Sequence, residues 1–345
     1  MKEIVYFLGV IVFFCSCNEY GQDTNRDIEE IELITENLIL GSLQKILDGY
    51  FVTAIAFDSK GNAWIGTFGQ GVIRYNTKET IFYDDDNSGV PKGLVIWDIA
   101  VDKNDNVWIA CDGLLKYDGK EFTLYNSRNT AMPEDVVSSI VVDSQNNVWF
   151  TSCRFRQGGL VKYDGSKWKV YTPNNSALPD NLINAIAVDQ SDNVWLTVNE
   201  NLVTFSGDKW KIFDKNDLGF TNSIFAGIQF NSKNQLLGIN DHSFNNLYLQ
   251  PPAEFYIFDG KKTTLKTFIN NVTSIPGQTK ITIDHNDNVW CFGAAADCGV
   301  LIGNRWKKID FLKHVGSRVS VYTIEENDNY QIWIGTSDGI YILNN

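Results

Sequence analysis

Asp102 to Trp108 reads "DKNDNVW", with Asp102, Asn104 and Asn106 at alternate positions, the spacing with which a calcium loop of the EF-hand type begins. Such a loop also needs Gly at its sixth position and a bidentate Glu at its twelfth. Counted from Asp102, these positions hold Val107 and Gly113, and counted from Asp284 in "DHNDNVW" they hold Val289 and Ala295. A turn is therefore the better reading, and no metal is expected.

The stretch recurs. "DSKGNAW" ends at Trp64, "DSQNNVW" at Trp149, "DQSDNVW" at Trp195 and "DHNDNVW" at Trp290, and two degenerate copies end at Leu237 ("NSKNQLL") and Trp333 ("NDNYQIW"). Three residues before the anchors stand Gly61, Asp105, Asn146, Asp192, Asn234 and Asp287, types that tolerate a left-handed backbone; the last copy has Tyr330. Alternating β-branched runs such as "TAIAFD" and "SSIVVD" precede each turn, and "VWIA" or "VWFT" follows it. A third segment ("GLLKYDG", "GLVKYDG") and a fourth with paired aromatics (Phe122 with Tyr125, Trp168 with Tyr171) complete each unit.

Units of four strands repeating about every 40 to 50 residues predict an all-β fold, a seven-bladed β-propeller of four-stranded blades. The last unit stops after "GIYILNN", one strand short, and the segment from about Ile31 to Asp48 is the natural donor. An N-terminal strand completing the last blade would close the ring and remove the open edges. Residues 31–345 are assigned to the propeller.

The core of the repeat resembles the two-component regulator propeller family. The match is carried by "GNAWIGT" (Gly61–Thr67), "NVWIACDGLLKYDG" (Asn106–Gly119), "GGLVKYDG" (Gly158–Gly165) and "IWIGTSDGIY" (Ile332–Tyr341). The resemblance implies a propeller of the kind found in the extracytoplasmic sensor region of bacterial histidine kinases or alone in exported proteins. It also resembles, more faintly, streptogramin lyase, whose chemistry needs metal and His.

Residues 1–17, "MKEIVYFLGVIVFFCSC", place Lys2 before an apolar run of signal-peptide length, too short to span a bilayer. The ending "FCSC" resembles the cleavage box of bacterial lipoproteins, with Phe14 where Leu is usual, which implies that Cys17 is lipidated; a plain secretory signal is the alternative. Residues 18–30 are polar and acidic and read as a tether. The expectation is an exported lipoprotein at the outer membrane or cell surface, or facing the periplasm, that meets the membrane through its anchor only.

With 42 acidic against 29 basic residues the net charge is −13, which disfavours nucleic acid as a partner. Once Cys15 and Cys17 are assigned to the leader, Cys111, Cys153, Cys291 and Cys298 stay in the folded domain. Cys291 and Cys298 are read as a candidate disulfide across a hairpin, and Cys111 and Cys153 occupy similar places in neighbouring blades, with buried free thiols as the alternative to pairing.

No nucleophile motif, phosphate loop or HExxH appears, so no cofactor is expected and a binding role is favoured over catalysis. His242, in the long insertion Gly238–Phe255, is the one weak catalytic candidate, since loops between second and third strands open on the ligand face of a propeller. Five residues before each turn Asp or Asn stand Thr53, Trp97, Ser138, Asn184, Ala226, Thr279 and Tyr322, at the mouth of the central channel. Of these Trp97, Asn184 and Tyr322 are candidate ligand contacts. Arg154, Phe155 and Arg156 in "CRFRQGG" form a basic spot suited to a carboxylate or sulfated glycan. The expected function is a cell-envelope module that binds or senses a small ligand or glycan. The alternatives are a scaffold for another envelope protein and a metal-dependent lyase or hydrolase.

Overall fold

The structure is a computed structural model that describes residues 43–154, 157–218, 224–241, 254–267, 280–292, 298–303, 305–309, 311, 315 and 319–343. Its strands form seven four-stranded antiparallel sheets arranged as blades. Blades 1 to 6 each take four consecutive strands, beginning with Val52–Phe57, Asp98–Val101, Val137–Val142, Ile183–Val188, Ile224–Phe230 and Lys280–Ile283. Blade 7 takes Val321–Glu326, Ile332–Thr336 and Gly339–Leu343 from the C-terminal end, and its outermost strand is Leu43–Ile46. The N-terminal donation expected from the missing strand is thus present, with Leu43 opposite Leu343 and Ile46 opposite Ile340. Among the described residues no helix is long and apolar enough to cross a membrane.

The repeated turn explains the repeat. In blade 2, Asp102 Oδ1 accepts the backbone N–H groups of Asn104 and Asn106 at 2.9 and 3.0 Å, and Oδ2 accepts the Asn106 amide at 2.7 Å and the Trp108 indole N–H at 3.0 Å. Asp58, Asp143, Asp189 and Asp284 repeat this set, each bonded to the indole six residues on. Four N–H donors fill the carboxylate, so a cation would meet donor dipoles where it needs oxygens. The residue before the Asn or Gln is left-handed in all seven copies, including Tyr330 at φ 62°. The sequence reading set Tyr330 apart, yet the turn holds there too.

The two degenerate copies behave differently. Blade 5 has Asn231 in place of Asp and Leu237 in place of Trp, so the carboxylate and the indole N–H disappear together. Blade 7 has Asn327 but keeps Trp333; the Asn327 amide turns to Gln331, and the buried indole N–H of Trp333 has no partner.

Packing is organised by seams between blades. Seven hydrophobic clusters fill the seven seams, each drawing on both neighbours. That between blades 1 and 2, for example, joins Trp64 and Val72 to Ile99 and Ile109. The anchor Trp side chains lie within these clusters, at most 9% exposed.

On the face carrying the turns, the seams are also stapled. The backbone N–H after each turn Asp or Asn donates to the left-handed residue of the next blade: Ser59 to Asp105, Lys103 to Asn146, Ser144 to Asp192, Gln190 to Asn234 and Ser232 to Asp287. Asp and Asn at this position therefore do two jobs, tolerating the turn and accepting across the seam. Between blades 6 and 7 Tyr330 offers no acceptor, and Glu326 replaces it, taking the N–H and ring Nδ1 of His285, both at 2.7 Å.

The seam between blades 7 and 1 is closed at its other end. Gly339 N–H donates to Tyr50 O at 2.7 Å, and Asp338 takes Gly49 N–H at 3.2 Å and Lys45 Nζ at 2.7 Å. Gly339 has φ 96°, and a Cβ there would stand 2.7 Å from the carbonyl oxygens of Ile46 and Leu47. Glycine is needed for the donated strand to approach.

Supplying the missing carboxylate should stabilise the ring: Asn327→Asp is expected to raise Tm by roughly 1–3 °C, because it gives the Trp333 indole an acceptor. Asp143→Asn should cost about 1–3 kcal/mol by stranding the Trp149 indole. Differential scanning calorimetry reads both, and an unchanged Asn327→Asp melt would mean that the indole is already satisfied.

The staples also predict an acid limit. Asp105 is held below its ordinary carboxyl value of 3.8 by the backbone N–H and hydroxyl of Ser59, and Asp192 and Asp287 by the hydroxyl and backbone N–H of Ser144 and Ser232. Native values below the unfolded ones mean that this stabilisation is complete above the unfolded value and is lost as pH falls through the lowered native values. Tm should fall as pH drops below about 4, and less so in the triple Asp105→Asn, Asp192→Asn, Asp287→Asn variant, which keeps acceptors but cannot titrate.

Candidate functional site

Each first strand runs from the rim face, which carries the loops between second and third strands, down to the turn face. First strands of neighbouring blades pack on one another and so line the axis. Their pairing is irregular near the rim, with register shifts between Val52 and Ala54, Val137 and Ile140, Ile183 and Ala185, Phe225 and Gly227, and Val321 and Thr323. In blade 2 Trp97 N–H donates to Ala110 O at 2.8 Å although Ala110 is opposite Asp98. These are β-bulges, which turn a side chain out of the alternating pattern. The channel-mouth positions Thr53, Trp97, Ser138, Asn184, Ala226 and Tyr322 coincide with them.

The bulge does not make every position available. Trp97 is 46% exposed and Ser138 is exposed, Asn184 and Tyr322 are half-buried, and Thr53 is buried. Ser138 Oγ lies 2.9 Å from Thr151 Oγ1 in the same blade. Asp98 Oδ2 accepts Ile140 N–H at 3.0 Å across the seam from blade 2 to blade 3, satisfying a donor beside the blade 3 bulge. The side chain of Ala226, and the residues Thr279, Phe155, Arg156 and His242, lie outside the described residues. So do the leader, Cys17 and the tether.

Two aromatic residues missed by the sequence reading belong to the same rim. Phe51 precedes the first strand of blade 1, and Phe68, 51% exposed, follows its second strand. Their rings stack at 5.1 Å between centroids, and Phe51 tilts against Tyr322 of blade 7 at 4.6 Å. Phe68 bridges to Val95, and Ile96 N–H donates to Thr67 O at 3.2 Å, which carries the chain alongside towards Trp97. The available signal was the pair of aromatics bracketing the first hairpin of blade 1, at the end where the loops open.

Arg154 is exposed at the end of the second strand of blade 3, opposite Gln157. The nearby Asp135 carboxyl is held low, chiefly by the backbone N–H and hydroxyl of Ser127 and further by the charges of Arg128 and Arg154. The basic spot is thus balanced in part by its own acid. Among the described residues the one carboxylate group close enough to share a cation is Asp84, Asp85 and Asp86, in the blade 1 to blade 2 connection, where Asp84 Oδ1 already accepts the N–H of Asp86 and of Asn87.

The candidate disulfide is corrected. Cys291 is a free, buried thiol, and so is Cys111, while Cys153 is half-buried. Cys291 is opposite Gly299 and Cys298 is opposite Phe292, so the two cysteines stand on adjacent rungs and not across from one another.

The model of the two-component regulator propeller family matches residues 46–69. The repeat recognised in the sequence is therefore that family's repeat. The extracellular domain of the hybrid two-component system BT3049 from B. thetaiotaomicron superposes with a TM-score of 0.67 at 17% identity, over 88% of this chain and 41% of that one. The chain thus spans less than half of that sensor domain. Virginiamycin B lyase from Staphylococcus aureus superposes with a TM-score of 0.69 at 16% identity, over 88% and 99%, and YCF48 from Cyanidioschyzon merolae with 0.63 at 10%, over 88% and 98%. At these identities the likeness is one of fold. No curated protein matches the sequence.

Burial pushes the Cys291 thiol up to about 12, and burial with the charge of Asp112 does the same for Cys111. Neither should react with a thiol reagent at pH 8 until the protein unfolds, and non-reducing peptide mapping should yield no Cys291–Cys298 cross-link.

Proposed function

We propose that the protein is an exported, lipid-anchored propeller that binds a glycan on its rim face, as a sensing or capture module. The observation that carries this reading is the set of exposed rings at the channel mouth, with Phe68 and Trp97 about half exposed. Large aromatics are rarely left in water without use, and beside Gln70, Ser138 and Asn184 they pair flat apolar faces with amide and hydroxyl groups. A sugar ring offers the complement, an apolar face bordered by hydroxyls. Residues 1–17 support export and a lipid on Cys17, and the fold shared with bacterial extracellular sensor domains is consistent with both.

A second reading, docking of another envelope protein, draws on the same rings, because exposed Trp residues are frequent anchors of protein interfaces. The lyase or hydrolase reading had His242 as its candidate, which lies outside the described residues.

A thermal-shift screen of the chain without residues 1–17, against neutral glycans, sulfated glycans and divalent metals, tests the proposal. A glycan should raise Tm, and Trp97→Ala or Phe68→Ala should weaken its binding by about tenfold or more. A response to metal alone, or glycan binding indifferent to both substitutions, would remove the rim from the account.

A further inference from the structure

We infer that the rim site is a track for a chain of sugars and not a socket for one; this rests on the glycan reading above. Exposed rings continue outward from the channel mouth across the seam between blades 7 and 1. Phe82, near the rim end of the outermost strand of blade 1, is 40% exposed and stacks on Tyr50 at 5.6 Å and 25°. Tyr50 is followed directly by Phe51, which holds Phe68 on one side and Tyr322 on the other. Ring contacts, joined by the Tyr50–Phe51 link of the chain, thus run from the perimeter to the channel mouth with Phe82 and Phe68 exposed, and Trp97 stands exposed in the next blade.

Spacing argues for more than one sugar. The register sets Phe82 level with Ile73 and Ile65, and Phe68 lies three residues beyond Ile65, so the two are two strand intervals and three residues apart, on the order of 14 Å. Ring stacking works at centroid separations of about 4.5–7 Å, so one sugar cannot lie on both rings. A linear oligosaccharide can place successive units on them.

The surroundings favour a neutral, polar occupant. Gln70 Oε1 accepts Phe51 N–H at 2.9 Å, which fixes an exposed carboxamide beside the rings. Lys45 is paired with both Asp48 and Asp338, and Asp84, Asp85 and Asp86 follow shortly after Phe82, so the fixed charge left beside these rings is acidic and would repel a sulfated chain.

The experiment is a binding series by calorimetry and Trp fluorescence, using β-1,4-glucan, β-1,3-glucan, β-1,4-xylan and chitin oligomers of increasing length from the monomer, with a proline-rich decapeptide alongside. The expected result is that at least one series binds, that affinity rises about tenfold or more from the dimer to the pentamer as further rings are engaged, and that Phe82→Ala flattens this rise while Trp97→Ala weakens every length. Affinity that stops rising at one or two units, or a length dependence untouched by Phe82→Ala, would overturn the track and leave the rim site standing. If no saccharide series binds, or the peptide alone does, the glycan reading and the track fall together. Phe82 is exposed and outside the seam's buried cluster, so a melting curve suffices to confirm that the variant is folded.

Discussion

The ring depends on a buried carboxylate that accepts an indole N–H. In five blades one Asp oxygen holds the turn amides and the other holds the side chains of an Asn and a Trp. The bond to the indole fixes the ring that fills the seam, and the bonds to the turn set the left-handed residue that accepts from the preceding blade. Local turn, inter-blade core and inter-blade staple thus share one group. In blade 5 the group and its partner change together, Asn231 coming with Leu237, whereas in blade 7 Asn327 leaves the Trp333 indole without an acceptor.

Much of this was legible in the sequence because it repeats. Seven copies of a turn with an anchor gave the blade count, and a missing last strand gave the closure. The second role of Asp105, Asn146 and Asp192 was not legible, since an acceptor for the neighbouring blade looks the same as a residue suited to a turn. Nor could the cysteine pair be judged from spacing: Cys291 and Cys298 are near in sequence, but one step of register keeps them off the same rung.

The candidate site was legible only in part. Trp97 and Tyr322 fell out of the repeat because they break it at a fixed offset from the turn. Phe51, Phe68 and Phe82 all belong to blade 1, where the first hairpin brings Phe51 and Phe68 together, and what adds Tyr322 is the crossing of the chain from the last blade to the first. The contact between Phe51 and Tyr322 is produced by closing the ring and is written in no local pattern.

The donated strand has a mechanical consequence. It enters at Leu43 on the turn face and runs towards the rim, paired residue by residue with Gly339–Leu343. Tension on the preceding chain, directed away from the turn face, acts along the strand axis, so its rungs are loaded in shear and must give way together. A strand donated in the reverse sense would peel from one end, one bond at a time, under a far smaller force. A pull on the N-terminal side therefore bears on the ring where its closure resists best.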